Sequence, residues 1–92
     1  MHRVRLTIQG HVQGVGFRGF AHREASSLGL SGWVANRPDG GVEVDAEGDL
    51  ESLGTFVARM RQGPARSRVE AVEARWSQGV ARHRGFEIRR SP

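Results

Sequence analysis

Near the start of the chain Val4, Leu6 and Ile8 alternate with Arg5, Thr7 and Gln9, the two-residue period of a strand with one buried face. After Gly14 and Gly16, Phe17, Phe20, Ala21, Ala25 and Leu28 recur at helical spacing, and Gly29 supplies a stop just past the last turn. Gly32 to Asn36 reads as a second strand, Pro38 to Gly41 as a turn, and Val42, Val44 and Ala46 against Glu43, Asp45 and Glu47 as a third strand with an acidic outer face. A second helix is expected from Asp49, a good N-cap residue. Leu50, Leu53, Val57 and Met60 share one side of it, and Gly63-Pro64 ends it. From Arg68 the chain is strand-like again, but Val69 and Ala71 are out of phase with Val72, Ala74 and Trp76, which predicts a bulge or a bend. Phe86 and Ile88 make a last short strand.

This order, β-α-β-β-α-β with a short C-terminal edge strand, resembles the ferredoxin-like arrangement. In it two helices cover one face of an antiparallel sheet, an α+β sandwich. Trp33, Trp76, Phe56 and Phe86 are expected in the core, since large aromatics dominate small cores. With 92 residues there is room for one core and one domain, taken to span residues 1–92.

Composition removes several kinds of chemistry. There is no cysteine, hence no disulfide, no thiolate nucleophile and no cysteine-based zinc site. His2, His11, His22 and His83 contain no pair at the spacing that puts two imidazoles on one helical face, so no metal and no cofactor is expected. No stretch approaches the roughly 18 apolar residues of a membrane span, and the N-terminus lacks a signal-like apolar run. The expectation is a soluble cytoplasmic protein, monomeric because no interface stripe stands out. All 14 basic residues are arginine, against 10 acidic ones, for a net charge of +4. Such a surface attracts anions without selecting one.

Selection comes from Gln13-Gly14-Val15-Gly16-Phe17-Arg18, between the first strand and the first helix. Amides at such a junction lack helical partners. Two glycines let the chain curl so that those amides converge, and the helix N-terminus adds positive potential. Arg18 completes an anion cradle, because a guanidinium stays charged and grips two phosphate oxygens together. Gly14-Val15-Gly16-Phe17-Arg18-Gly19 also fits the G-x-G-x-x-G pattern of dinucleotide sites, but a hairpin follows where that fold needs a parallel crossover strand. The absence of lysine excludes a Walker-type loop.

Two stretches resemble the acylphosphatase family. Ile8-Gln9-Gly10-His11-Val12-Gln13-Gly14-Val15-Gly16-Phe17-Arg18 fits its apolar-x-G-x-V-Q-G-V-x-F-R signature. Gly32-Trp33-Val34-Ala35-Asn36, followed by Gly40, Val42 and Gly48, fits its second signature. The resemblance covers essentially the whole chain. It implies metal-free hydrolysis of acyl phosphates to a carboxylate and inorganic phosphate, with Arg18 binding the phosphoryl group and Asn36 positioning the attacking water. Loop amides of Val15, Gly16, Phe17 and Arg18 would hold the phosphate, while Gln13 and Gly14 would shape the loop. The sequence departs from the family at Arg37, where many animal members carry threonine, and at Gly19, where relatives often carry a bulkier residue. Arg37 is expected to add positive charge near the site. Two rivals share the strand order. An RNA-binding module would need aromatics in its central strands, where this chain has Glu43, Asp45 and Glu47. Acylphosphatase-like domains also head large hydrogenase-maturation proteins, whereas a free-standing domain is expected here. Thus acyl phosphate is the expected partner, with no nucleic acid and no membrane.

Overall fold

The computed structural model describes every residue from Met1 to Pro92. The first strand, β1 (His2–His11), lies one place in from the sheet edge, between β4 (Arg68–Gln78) and β3 (Val42–Gly48). Beyond β3 come β2 (Ser31–Asn36) and β5 (Phe86–Arg89), giving the order β4-β1-β3-β2-β5. All pairings are antiparallel except β2 with β5, which run parallel. The sheet is therefore mixed at that edge.

Alternation decides which side of each strand is buried. Val4, Leu6 and Ile8 pair with Ala46, Val44 and Val42, and all six are fully buried on the side covered by the helices. Helix α1 (Phe17–Ser27) contributes Phe17, Ala21 and Ala25 to that core, and α2 (Leu50–Gln62) contributes Leu53, Phe56, Val57 and Met60. At the end of α1, Leu30 N donates to Ala25 O (2.9 Å) and Gly29 N to Ser26 O (3.1 Å), closing the last turn at the expected glycine. The Asp49 side chain accepts from the Ser52 amide at 2.9 Å, which caps α2 and, with the Ser52 hydroxyl, holds the Asp49 carboxyl below its ordinary value. No helix is long and apolar enough to cross a membrane.

The phase break in β4 is a bulge at Glu70. Gln9 faces Ala71 and Gly10 faces Val69, so Glu70 is left without a partner in β1.

Two expectations fail on burial. Trp76 is 47% exposed at the edge strand, and Phe86 is only partly buried, although its ring meets Phe56 edge-on at 6.2 Å. Trp33 is buried but outside the apolar core, on the opposite face of the sheet, with the Arg5 and Arg89 guanidinium carbons 5.0 and 5.1 Å from its ring centre.

The acidic face of β3 is also covered, where solvent was expected. Glu43, Asp45 and Glu47 are all buried. Arg3 grips Asp45 with Nε and Nη2 at 2.9 and 2.6 Å. Arg5 and Arg37 hold the two oxygens of Glu43, each at 2.8 Å. The segment before β5 folds over this face: the amides of Arg82 and His83 donate to Glu47 Oε1 at 2.9 and 2.7 Å, and His83 Nε2 lies 2.9 Å from Asp45 Oδ2. Buried carboxylates are tolerable only when so matched. Burial pushes the Asp45 carboxyl up, but the hydrogen bonds from Arg3 and His83 and the charges of Arg5 and Arg3 together hold it below its ordinary value.

Candidate active site

β1 ends at His11, and the chain reverses through Val12–Gly16 into α1. Gly14 and Gly16 both adopt left-handed backbone, with φ of 73° and 78°. A Cβ at either would meet nothing within 4 Å, so the requirement for glycine here is conformational rather than steric. Gly16 is also the N-cap of α1, and it has no side chain to satisfy the first turn. The amides of Val15, Gly16, Phe17 and Arg18 donate to no backbone carbonyl. They are the free donors that a helix start leaves open, curled by the two glycines into one concave turn. The side chains of Val15 and Phe17 turn away into the core.

Gln13 joins this loop to the second motif. Its Nε2 donates to Arg37 O and to Gly41 O, each at 2.8 Å. Those carbonyls flank the β2–β3 turn, itself closed by Arg37 N to Gly41 O (2.9 Å) and by Gly41 N to the Asp39 carboxylate (2.9 Å). Asn36, the last residue of β2, immediately precedes that turn. One amide side chain thus fixes the position of Asn36 relative to the loop.

Gly14, Gly16, Phe17, Arg18, Asn36 and Ile88 line a cavity of ≈ 270 Å³. Gly19 lines it too, and a Cβ there would stand 3.3 Å from Arg23 Nη1. Arg18 is half-buried and, unlike Arg3, Arg5 and Arg37, forms no ion pair. Its Nη1 donates to Arg89 O at 2.9 Å, which fixes the guanidinium through one nitrogen and leaves its other donors free. The Asn36 carboxamide makes no hydrogen bond within the chain, so both its donor and its acceptor are available.

Arg37 does not meet the expectation of extra charge at the site. Its guanidinium binds Asp39 and Glu43, outside the residues that line the cavity. Conversely, Ile88 and Arg89 belong to the site and no sequence motif marks them. They arrive through the parallel pairing of β5 with β2, with Ile88 opposite Val34 and Arg89 opposite Ala35. A larger hollow of ≈ 470 Å³ lies beside Trp76 and Leu50, but no arginine lines it.

The acylphosphatase family model matches residues 4–88. Among curated relatives, the acylphosphatase of Thermus thermophilus is 49% identical over 96% of this chain and 99% of its own length. That of Salinibacter ruber is 43% identical over 96% and 93%. The crystal structure of acylphosphatase from Bacillus subtilis superposes with a TM-score of 0.92 at 41% identity, over 96% of this chain and 98% of that one. Full-length HypF, in its phosphate- and nucleotide-bound form, matches with a TM-score of 0.86 at 29% identity; 99% of this chain is covered, but only 12% of that chain. A family model spanning nearly every residue, and relatives alike over almost their whole lengths, place the chain in the acylphosphatase family.

Proposed function

We propose that the protein hydrolyses acyl phosphates to a carboxylate and inorganic phosphate, using only its own side chains and amides. The observation that supports this most is the meeting of an arginine without an ion-pair partner, unsatisfied loop amides and an uncommitted asparagine at one cavity. An anion of phosphoryl size matches that set, because the donors outnumber the acceptors and Gly16, Phe17, Arg18 and Asn36 line one hollow, with Val15 just outside its lining.

Arg18 and the amides of Val15, Gly16, Phe17 and Arg18 bind the phosphoryl oxygens, and their attraction strengthens as negative charge spreads over the equatorial oxygens in the transition state. The leaving group is a carboxylate whose parent acid has a pKa of about 4, so it departs without a general acid. Asn36 holds the water in line with the departing oxygen, accepting a hydrogen bond from it through its carbonyl. A carboxamide is a poor base. The proton therefore passes to a phosphoryl oxygen of the substrate.

Benzoyl phosphate hydrolysis by the purified protein, followed in excess chelator across pH, tests this reading. The expected result is rapid turnover unaffected by chelator, with a pH profile that follows substrate ionisation alone. No turnover by folded protein, or turnover lost to chelator and restored by a metal ion, would contradict it. An additional ionisation from the enzyme would remove the substrate from the role of proton acceptor.

A further inference from the structure

Three apolar side chains line the cavity, Val12, Phe17 and Ile88. Val12 and Phe17 are each 1% exposed and belong to the core, whereas Ile88 is 47% exposed. Ile88 is therefore the one apolar wall that a ligand in the cavity can reach. A single exposed aliphatic residue ordinarily means nothing. Its position here does, because the next residue, Arg89, supplies the carbonyl that holds Arg18, so the apolar wall and the anion-binding guanidinium are fixed by the same strand end.

The register sets where a bound molecule would lie. Ile88 is opposite Val34, and Val34 and Asn36 are on the same side of β2, since side chains alternate. Ile88 and Asn36 therefore sit on one face, one strand over and two residues along, roughly 8 Å apart at the backbone from ordinary sheet spacings. That span accommodates a phosphoryl group between them. In-line displacement puts the attacking water and the leaving oxygen on opposite sides of phosphorus. With the water at Asn36, the acyl oxygen and its substituent lie toward Ile88.

We propose that Ile88 packs against the acyl group and makes the enzyme prefer acyl phosphates with an apolar, extended acyl moiety over small ones; this rests on the acylphosphatase reading above. Ile88 is then a specificity-determining residue that leaves phosphoryl binding untouched.

The test compares kcat/KM for benzoyl phosphate and acetyl phosphate in the wild-type protein, Ile88→Ala and Ile88→Val, together with inhibition by inorganic phosphate. Ile88→Ala is expected to lower the benzoyl phosphate value about five- to tenfold, because the phenyl ring no longer meets an apolar wall, and the acetyl phosphate value by less than about twofold. Ile88→Val should retain most of the preference, and phosphate inhibition should be unchanged in both variants. Equal losses on the two substrates, no loss on benzoyl phosphate, or weakened phosphate inhibition would each overturn the assignment. Failure of the wild-type protein to hydrolyse either substrate would instead overturn the activity on which the assignment rests.

Discussion

Of the half-buried arginines of this chain, Arg3, Arg5, Arg37, Arg59 and Arg89 are ion-paired with carboxylates, and Arg18 alone is not. A guanidinium paired with a carboxylate has little attraction left for a phosphoryl group, while one held by a carbonyl keeps its full charge. Gln13 is the second residue on which the site depends. Its two hydrogen bonds reach across 24 and 28 residues of sequence, and they tie the loop before α1 to the turn that follows Asn36. Gln13→Ala is expected to lower stability by about 1–2 kcal/mol, as each carbonyl keeps one other partner. It should also reduce kcat about tenfold through loss of alignment, measured by urea unfolding and by steady-state kinetics. A variant with unchanged kcat would show that the loop and Asn36 are positioned independently. The left-handed turns at Gly14 and Gly16 and the meeting of Arg18 with Asn36 at one cavity were legible because these residues sit in motifs whose spacing reports a local conformation. Ile88 and Arg89 were not, because their place depends on a strand pairing between segments over fifty residues apart.

At the scale of elements, both helices and the first four strands follow from periodicity and end signals, since each buries one side of a regular pattern. The bulge at Glu70 was legible as a phase break, because an extra residue reverses which side chains face inward. Two features of the sheet were hidden. Alternation in β3 predicted an exposed acidic face, but it reports only that two sides differ, not whether something charged covers the polar one. Likewise Trp76 has the phase of a core residue but lies on the edge strand, where half of it remains in solvent. Direction was hidden too: the short run Phe86–Ile88 gives a strand without saying that it joins β2 in parallel. That pairing is what brings β5 to the cavity.

The whole molecule has two buried layers of opposite character on the two faces of one sheet, an apolar core under the helices and a charged layer under the segment before β5. The charged layer makes stability depend on pH. Asp45 titrates below its ordinary value in the folded state, so its contribution is complete above the unfolded-state pKa and is lost as pH falls through the folded value. Stability should therefore decline below about pH 4. Asp45→Asn should be less stable by about 3 kcal/mol at neutral pH, since Arg3 and Arg5 lose a buried partner, and its acid decline should be shallower. Urea unfolding at a series of pH values measures both; parallel curves for the two proteins would show that Asp45 does not carry this dependence. The same sheet brings together two distant segments, the loop with Arg18 and the strand end with Asn36, and their division of labour is the central claim. It is tested most directly by measuring inorganic phosphate affinity and benzoyl phosphate kinetics side by side for Arg18→Ala and Asn36→Ala. Both variants should lose roughly 10²-fold or more in kcat/KM, with phosphate affinity falling in Arg18→Ala and preserved in Asn36→Ala. Equal loss of phosphate affinity in the two variants, or full activity in either, would contradict the account.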